Sequence, residues 1–206
     1  MNVLMINTSP HENGCTNRAL QEVASVLKQW NIDSEILWIG KGSLHGCTDC
    51  GYCFKHGSCV FTDDSVNEAA KKAVKADALV LGSAVHYASA AGAGSAFLDR
   101  MFRVASKQMA LKPGAAVVSC RRGGASATFD QLNKYFTISQ MPVVSSTYWN
   151  SVHGNTVEEV EQDLEGLQVM RYLGANLAWL LSCIEAGKDT VKKPVPEKRI
   201  ATNFIR

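Results

Sequence analysis

The sequence lacks a dominant charge sign and any long apolar run. Its 206 residues carry 21 lysines and arginines against 19 aspartates and glutamates, which leaves a formal net charge of +2. This balance disfavours nucleic acid as a main partner, because such binding depends on a strongly basic surface that displaces phosphate counterions. No stretch reaches the roughly 18 apolar residues that span a bilayer, and the opening MNVLMINTSP contains no basic leader region. We therefore expect a cytoplasmic protein with no membrane partner.

Two glycine-rich nucleotide motifs are also missing. The sequence contains neither G-x-G-x-x-G nor G-x-x-x-x-G-K-[ST], which disfavours a dinucleotide-binding Rossmann site and a P-loop nucleotidase. It has no internal repeat and no low-complexity tract. Hydrophobic residues make up 46% and charged residues 19%, which is typical of a globular protein with a substantial core. One such core usually serves chains of up to about 250 residues, so the length suits a single domain.

Short β-rich runs alternate with longer amphipathic runs, which is typical of a parallel sheet covered by helices on both faces. Five runs predict strands over residues 3–7, 34–39, 78–83, 115–120 and 142–145. Helical spacing of apolar residues predicts helices over residues 17–30, 65–76, 95–109, 129–139 and 156–183. The pattern predicts an α/β fold, a flavodoxin-like doubly wound five-stranded parallel sheet of order 2-1-3-4-5. The domain is expected to span 1–187, with a cysteine-rich loop at 42–62 and a basic C-terminal arm at 188–206.

The loops after strands one, three and four form the candidate ligand site, because ligands of such sheets bind beyond the carboxyl ends of the strands. The first loop, TSPHENGCTN, offers hydroxyl groups and a glycine ahead of a helix N-terminus, which suits a phosphate group. The third and fourth loops add small residues that let the backbone approach a flat ring, so the pattern favours FMN. Alternatives left open are a plain capping loop, a flexible helix lead-in and a solvated pair of arginines. The segment after the fifth predicted strand is expected to bring four more side chains to this edge: Tyr148, Trp149, Asn150 and His153.

Four of the seven cysteines are crowded into one short segment with the spacing C-x2-C-x2-C-x5-C. They are Cys47, Cys50, Cys53 and Cys59. The first three have the compact spacing of ferredoxin-type ligation, which predicts a [4Fe–4S] cluster. A four-thiolate zinc site and a loop of free thiols remain alternatives, although zinc sites usually have two C-x2-C pairs separated by a longer loop. Of the isolated cysteines, Cys120 and Cys183 are expected to be inert buried thiols.

A series of short blocks lies along nearly the whole chain: TSPHENGCTN, SAVHYASAAG with FLDR behind it, CRRGG, MPVV, SSTYWNSVHG and DLEG. In this order and spacing the blocks resemble the flavodoxin-like NADPH-dependent FMN reductase family. Within that family the chain is most similar to the iron-sulfur flavoprotein branch, whose compact cluster motif the cysteine spacing matches. The resemblance implies the predicted fold and an FMN cofactor.

The resemblance also implies roles for two sets of loop residues. The FMN phosphate and ribityl chain would be held by Ser9, His11, Asn13, Thr16 and Asn17. The isoalloxazine would be lined by Ala84, Val85, His86, Tyr87, Arg121, Gly123 and Gly124. The family usually has Ser-Pro-Val-Tyr in the third loop, whereas this chain has Ser-Ala-Val-His at 83–86. This departure removes a rigid proline and one aromatic ring, for which Tyr87 is the available replacement.

The function implied is that of an FMN-dependent oxidoreductase or electron-transfer flavoprotein that couples a [4Fe–4S] cluster to FMN. It would use a small-molecule or protein electron donor and acceptor. Alternatives are an NAD(P)H-dependent FMN or quinone reductase with a structural cysteine loop, and a non-enzymatic flavin-binding redox sensor or carrier. No residue is assigned as catalytic, because the cofactors carry the chemistry. The long last helix predicts a homodimer or homotetramer, in which the arm ending in Phe204 and Ile205 is expected to wrap a neighbouring subunit.

Overall fold

The computed structural model describes residues 1–198, 200–202 and 204. In this part of the chain the strands are β1 Asn2–Asn7, β2 Asp33–Trp38, β3 Ala78–His86, β4 Ser89–Ala90, β5 Gly114–Cys120 and β6 Ser151–His153. The helices are α1 Cys15–Gln29, α2 Tyr52–His56, α3 Val66–Lys75, α4 Gly92–Ala105, α5 Ala125–Ile138, α6 Val157–Val160 and α7 Leu164–Gly187. A 3₁₀ turn at Ser106–Met109 follows α4.

The sheet has the predicted topology. The order β2-β1-β3-β5-β6 joins five parallel strands, which in chain order is 2-1-3-4-5, so the flavodoxin-like prediction is confirmed. The short β4 pairs antiparallel with the end of β3 and was not predicted. Its sequence of small residues carries little strand propensity, and the pairing is imposed by the tight turn between the two strands.

Two cores lie on opposite faces of the sheet. Alternate residues of β1 divide between them, because successive side chains of a strand point to opposite faces. Val3 and Met5 pack in the core under α1 and α7, while Leu4 and Ile6 pack in the core under α3, α4 and α5. All four side chains are at most 1% exposed, and burying each contributes about 1.5–3 kcal/mol. The continuous apolar run of β1 therefore makes it the central strand.

The fifth parallel strand is not where the sequence placed it. Residues 142–145 make only an isolated bridge, between Val143 and Gly114, and the paired strand is Ser151–His153. Proline at 142 has no N–H to donate to the ladder, and the chain then leaves the sheet before returning at Asn150. The Asn150 side chain bridges the interruption by donating to the Ala116 carbonyl at 2.9 Å. The edge strand is thus interrupted, and the prediction identified only its first half.

The predicted helix over 156–183 is two helices. Thr156 caps α6 by accepting a hydrogen bond from the Glu159 N–H, and Asp163 caps α7 by accepting one from the Gly166 N–H. The Asp163 carboxylate also accepts a hydrogen bond from the His153 N–H at 2.6 Å. An aspartate so engaged ends one helix and starts the next, because its side chain competes for backbone donors. The cysteine segment adds α2, a helix of five residues that was predicted as loop.

The C-terminal region follows helix α7, and the domain bounds 1–187 stay a prediction. Helix α7 ends at Gly187, and the described residues beyond it are exposed and form no strand or α-helix. Of the predicted arm, Arg199, Asn203, Ile205 and Arg206 lie outside the described residues. Within the described chain, every helix is too short or too polar to cross a bilayer. Cys120 is buried as predicted, whereas Cys183 is exposed on α7, so the expectation of burial is wrong there.

Candidate functional site

The loops that follow β1, β3 and β5 meet at one edge of the sheet. This region, termed the carboxyl edge, comprises residues 8–14, 84–91 and 121–124. Thr8 ties the first loop to β3, since its N–H and its hydroxyl both donate to the Gly82 carbonyl, at 2.8 and 2.9 Å. Gly94 in the first turn of α4 packs directly on the Thr8 side chain. The sheet therefore brings the predicted ligand-binding loops together.

A buried asparagine at the end of β1 shapes the first loop. The Asn7 amide accepts a hydrogen bond from the Ser9 N–H and donates one to the Glu12 carbonyl, both at 3.0 Å. The Ser9 hydroxyl accepts from the His11 N–H at 3.1 Å, and the Trp38 indole N–H donates to the Ser9 carbonyl at 2.8 Å. The loop is thus held in one conformation by its own side chains. Sequence reasoning missed Asn7 and Trp38, because both lie at the ends of predicted strands.

The five residues implied for the phosphate and ribityl chain lie in the first loop and in the first turn of α1. Their exposure differs: His11 and Asn13 are exposed, whereas Ser9, Thr16 and Asn17 are buried. Thr16 Oγ1 is hydrogen-bonded to Ser119 Oγ of β5 at 2.7 Å. The Thr16 side chain therefore anchors α1 to the sheet in this structure, and its contact with the phosphate or ribityl chain stays a prediction.

Three helices point unneutralised N-termini at the carboxyl edge. Helices α1, α4 and α5 have no side-chain cap and no acidic residue in the first turn. In contrast, α6 and α7 are capped by Thr156 and Asp163. An uncapped helix N-terminus carries free N–H donors and about half a positive charge. The convergence of three such ends makes this edge suited to an anionic ligand.

A strained two-residue turn joins β3 to β4. Tyr87 and Ala88 both adopt left-handed backbone conformations, with φ of 52° and 57°. Turns of this kind usually contain Asn-Gly, since side chains other than glycine pay about 1–2 kcal/mol for the left-handed region. The turn leaves the Tyr87 ring fully exposed beside the carboxyl edge. Strain of this kind, retained at a loop tip, is typical of functional segments.

Gln131 of α5 holds this hairpin against two helices. Its Oε1 accepts hydrogen bonds from the Ser89 hydroxyl at 2.7 Å and the Ala90 N–H at 2.8 Å. Its Nε2 donates to the Ser95 hydroxyl of α4 at 3.2 Å. One amide therefore ties α5, β4 and the start of α4 together. Sequence reasoning missed this role, because an isolated glutamine on a helix predicts a solvated side chain.

The fourth loop approaches the hairpin at a glycine. Gly124 has a φ of +92°, and a Cβ placed there would lie 2.7 Å from Ala88 Cα and 2.8 Å from Val85 Cγ1. At Gly123 a Cβ would meet no atom within 4 Å. Burial raises the pKa of the adjacent Cys120 thiol, which keeps it protonated and inert. All seven residues implied for the isoalloxazine lie on these two loops, where they remain predicted contacts: Ala84, Val85, His86, Tyr87, Arg121, Gly123 and Gly124.

The aromatic pair Tyr148–Trp149 does not reach the carboxyl edge. Strand β6 runs parallel to β5 with Ser151 opposite Val118, so this pair precedes the strand instead of following it. Only the end of β6 reaches the edge, where the Gly154 N–H donates to the Cys120 carbonyl at 3.1 Å. The expected placement of Tyr148, Trp149 and Asn150 is therefore wrong, and that of His153 is right. The error follows from the misplaced fifth strand.

The four clustered cysteines line a single cavity, termed the cysteine pocket. Gly51 and Gly57 flank α2 in left-handed conformations, with φ of 72° and 66°, and so turn the chain around it. Burial raises the pKa of the Cys53 thiol, and the neighbouring cysteines raise it further. In the described chain all seven cysteines are free, and no three His, Cys, Asp or Glu side chains converge closely enough to hold a metal ion.

A buried ion pair supports the cysteine pocket. The side chains of Arg100 and Asp64 are 1% and 5% exposed and pair with each other. Arg100 Nε also donates to Cys59 Sγ at 3.2 Å, and the Cys59 N–H donates to Asn67 Oδ1 at 2.7 Å. Arg103, one turn further along α4, pairs with the exposed Asp49. Sequence reasoning included Arg100 in a family-like block but gave it no role.

Comparison with known proteins identifies the family. An iron-sulfur flavoprotein of Methanocaldococcus jannaschii is 29% identical over 194 residues, which cover 90% of this chain and 100% of that protein. An iron-sulfur flavoprotein of Methanosarcina thermophila is 25% identical over 193 residues, covering 92% and 100%. The solved structure of a flavodoxin from the domain Archaea has a TM-score of 0.58 at 14% identity, covering 88% of this chain and 99% of its own, which shows a shared fold alone.

The family model described as NADPH-dependent FMN reductase matches residues 1–156. This stretch contains β1 through β6 and all the residues of the carboxyl edge and the cysteine pocket. The resemblance expected from the sequence, including its iron-sulfur flavoprotein branch, is confirmed. The chain therefore belongs to the NADPH-dependent FMN reductase family and is an FMN-dependent oxidoreductase.

Proposed function

We propose that this oxidoreductase binds FMN at the carboxyl edge and a [4Fe–4S] cluster at the cysteine pocket, and passes single electrons between them. The observation that carries the proposal is that one helix, α4, connects the two sites. Its first residue, Gly92, lies beside the β3–β4 hairpin, and Arg100 contacts Cys59 of the pocket. Eight residues of helix correspond to about 12 Å. Two redox groups held at these ends would be close neighbours.

The carboxyl edge fits FMN by its electrostatics and its shape. The uncapped starts of α1, α4 and α5 favour a phosphate anion, and the first of them follows the loop implied to hold it. Glycines at 94 and 124 keep the neighbouring loops in contact where any side chain would separate them. Bound FMN would accept one or two electrons, and this chain supplies its orientation and surroundings.

The cysteine pocket fits a cluster by the chemistry of its donors. Four thiols from one short loop line one cavity, and thiolates are the usual ligands of iron–sulfur clusters. The C-x2-C-x2-C spacing of the first three cysteines favours the cluster over a single zinc ion, because zinc sites usually have two C-x2-C pairs separated by a longer loop.

A second candidate is an NAD(P)H-dependent FMN or quinone reductase whose cysteine loop is only structural. It is favoured by the protein contacts that order the loop, since Arg100 pairs with Asp64, Arg103 with Asp49 and Asn67 with Cys59. Membership of a reductase family favours both enzymatic candidates over the sensor or carrier. The electron donor and acceptor, the homo-oligomer and the cytoplasmic location stay predictions.

The deciding experiment is anaerobic purification followed by analysis of FMN, iron and sulfide. We expect one FMN and about four irons per chain. Cys50→Ala removes an exposed thiol and should abolish iron while FMN stays bound, whereas the matched control Cys183→Ala, at an exposed position of α7, should retain both. Wild-type protein with FMN, no iron and rapid oxidation of NADPH would favour the second candidate. Protein that declines FMN would contradict both.

A further inference from the structure

A fully buried arginine contacts one of the four proposed cluster ligands. Arg100 Nε lies 3.2 Å from Cys59 Sγ, and the arginine side chain is 1% exposed. Burying a guanidinium is costly unless its donors are paired, so each acceptor around it matters. The terminal nitrogens are paired with the Asp64 carboxylate and, at 3.3 Å, with the His45 carbonyl. The Nε–H is thereby left for the sulfur.

The surroundings of Arg100 determine where that Nε–H points. Asp64 accepts hydrogen bonds from both terminal nitrogens, and the guanidinium lies over the Phe61 ring at 5.1 Å. A planar guanidinium held on two sides cannot rotate without breaking a buried pair. Arg103 provides the contrast, since it lies one turn away, pairs with exposed Asp49 and makes no described contact with a sulfur. Among the residues that the structure describes, Arg100 is the one whose side chain donates a hydrogen bond to a clustered sulfur.

We propose that Arg100 is a positioning residue which donates a hydrogen bond to the Cys59 thiolate and makes the bound [4Fe–4S] cluster easier to reduce. The proposal rests on the cluster assigned under the proposed function. Reduction adds one electron and therefore negative charge to the cluster and its thiolates, while Arg100 keeps its proton throughout. A fixed donor at one thiolate stabilises the more negative state more strongly, and hydrogen bonds to the sulfurs are a recognised determinant of cluster potential.

The test compares Arg100→Lys with the matched control Arg103→Lys. Both variants keep the positive charge. At position 100, however, the single ammonium group of lysine cannot donate to Asp64 and to Cys59 at the same time in the geometry of the guanidinium. In an anaerobic dithionite titration followed by EPR, we expect Arg100→Lys to lower the reduction equilibrium constant about tenfold, or about 59 mV for one electron. Arg103 lines the same pocket but pairs with Asp49, so Arg103→Lys should shift the midpoint much less than Arg100→Lys. Equal midpoints for all three proteins, or equal shifts in both variants, would overturn the proposal.

A second measurement does not depend on how well the variant folds. Wild-type protein is labelled with ¹⁵Nε-arginine, reduced, and examined by pulsed EPR for coupling between the cluster and the label. We expect one ¹⁵N coupling in wild type and in Arg103→Lys, and its absence in wild type would overturn the proposal. Iron analysis of the wild type separates the two levels of inference. Wild type without iron refutes the proposed function, whereas wild type with iron but without coupling refutes only the role of Arg100.

Discussion

The contact between Gly94 and Thr8 provides a sharp test of how the carboxyl edge is built. A Cβ added at Gly94 would lie 2.7 Å from both Cβ and Oγ1 of Thr8, whereas one added at Gly92 would meet no atom within 4 Å. Both glycines lie in the first turn of α4, so alanine brings each a similar helix-propensity gain of about 0.5–1 kcal/mol. Only Gly94→Ala adds overpacking, at about 1–3 kcal/mol.

The difference between the two variants is therefore about 1–3 kcal/mol in the free energy of unfolding. For a chain of this size that corresponds to a Tm about 2–12 °C lower for Gly94→Ala than for Gly92→Ala. Because Thr8 leads into the first loop, its displacement should also weaken FMN binding, by about tenfold for each 1.4 kcal/mol. Thermal unfolding and flavin-fluorescence titration measure the two effects. Equal Tm and equal FMN affinity in the two variants would refute this packing argument.

Two further variants test the pH dependence and the strained turn. Burial raises the pKa of Glu22, but hydrogen bonds from Arg171 and Arg18 lower it more, so the net shift is downward. The charged carboxylate therefore stabilises the folded state at pH values above the pKa that Glu22 has in the unfolded chain. This stabilisation is lost as the pH falls and Glu22 becomes protonated. Glu22→Gln should lower the free energy of unfolding by about 1–2 kcal/mol at pH 7 and by progressively less below about pH 4, as measured by urea unfolding. A loss of stability that does not depend on pH would contradict a stabilising role for the Glu22 charge. Tyr87→Gly should raise the free energy of unfolding by about 0.5–1 kcal/mol, since glycine adopts φ of 52° freely, yet weaken FMN binding by removing a ring. A Tyr87→Gly protein less stable than wild type would show that the backbone at Tyr87 is not strained. Unchanged FMN affinity would show that the Tyr87 ring does not contact the flavin.

The central part of the fold was predictable because it depends on local patterns. The apolar run of β1 predicts a strand buried on both faces, and the alternation of strand and helix predicts the parallel order that the structure shows. The fifth strand was misplaced because the segment with the higher strand propensity, residues 142–145, makes only an isolated bridge, whereas Ser151–His153 forms the paired strand. A proline at 142 begins the predicted run, and the true strand is completed by the Asn150 side chain, whose role depends on distant Ala116.

The candidate site was also only partly predictable, because its loops follow local sequence patterns whereas Arg100 depends on contacts between distant residues. Loops of hydroxyl, glycine and small residues are visible as sequence blocks, and the fold brings them to one edge. Arg100 was invisible because a charged residue on an amphipathic helix usually faces water and is buried only when paired. Its partner Asp64 lies 36 residues earlier in the chain, and no local pattern connects them. Similarly, the β3–β4 hairpin lacks the Asn-Gly signal that would have predicted it.

The interrupted edge strand restricts how copies of this chain can associate. β6 is three residues long, and the segment before it leaves the sheet, so this border presents few free backbone N–H and C=O groups in a row. A border of that kind is a poor template for an additional strand, which also protects against aggregation by strand addition. If the predicted homo-oligomer forms, we therefore expect its subunits not to pair through β6, and the outer side of α7 is a helical surface through which they could meet.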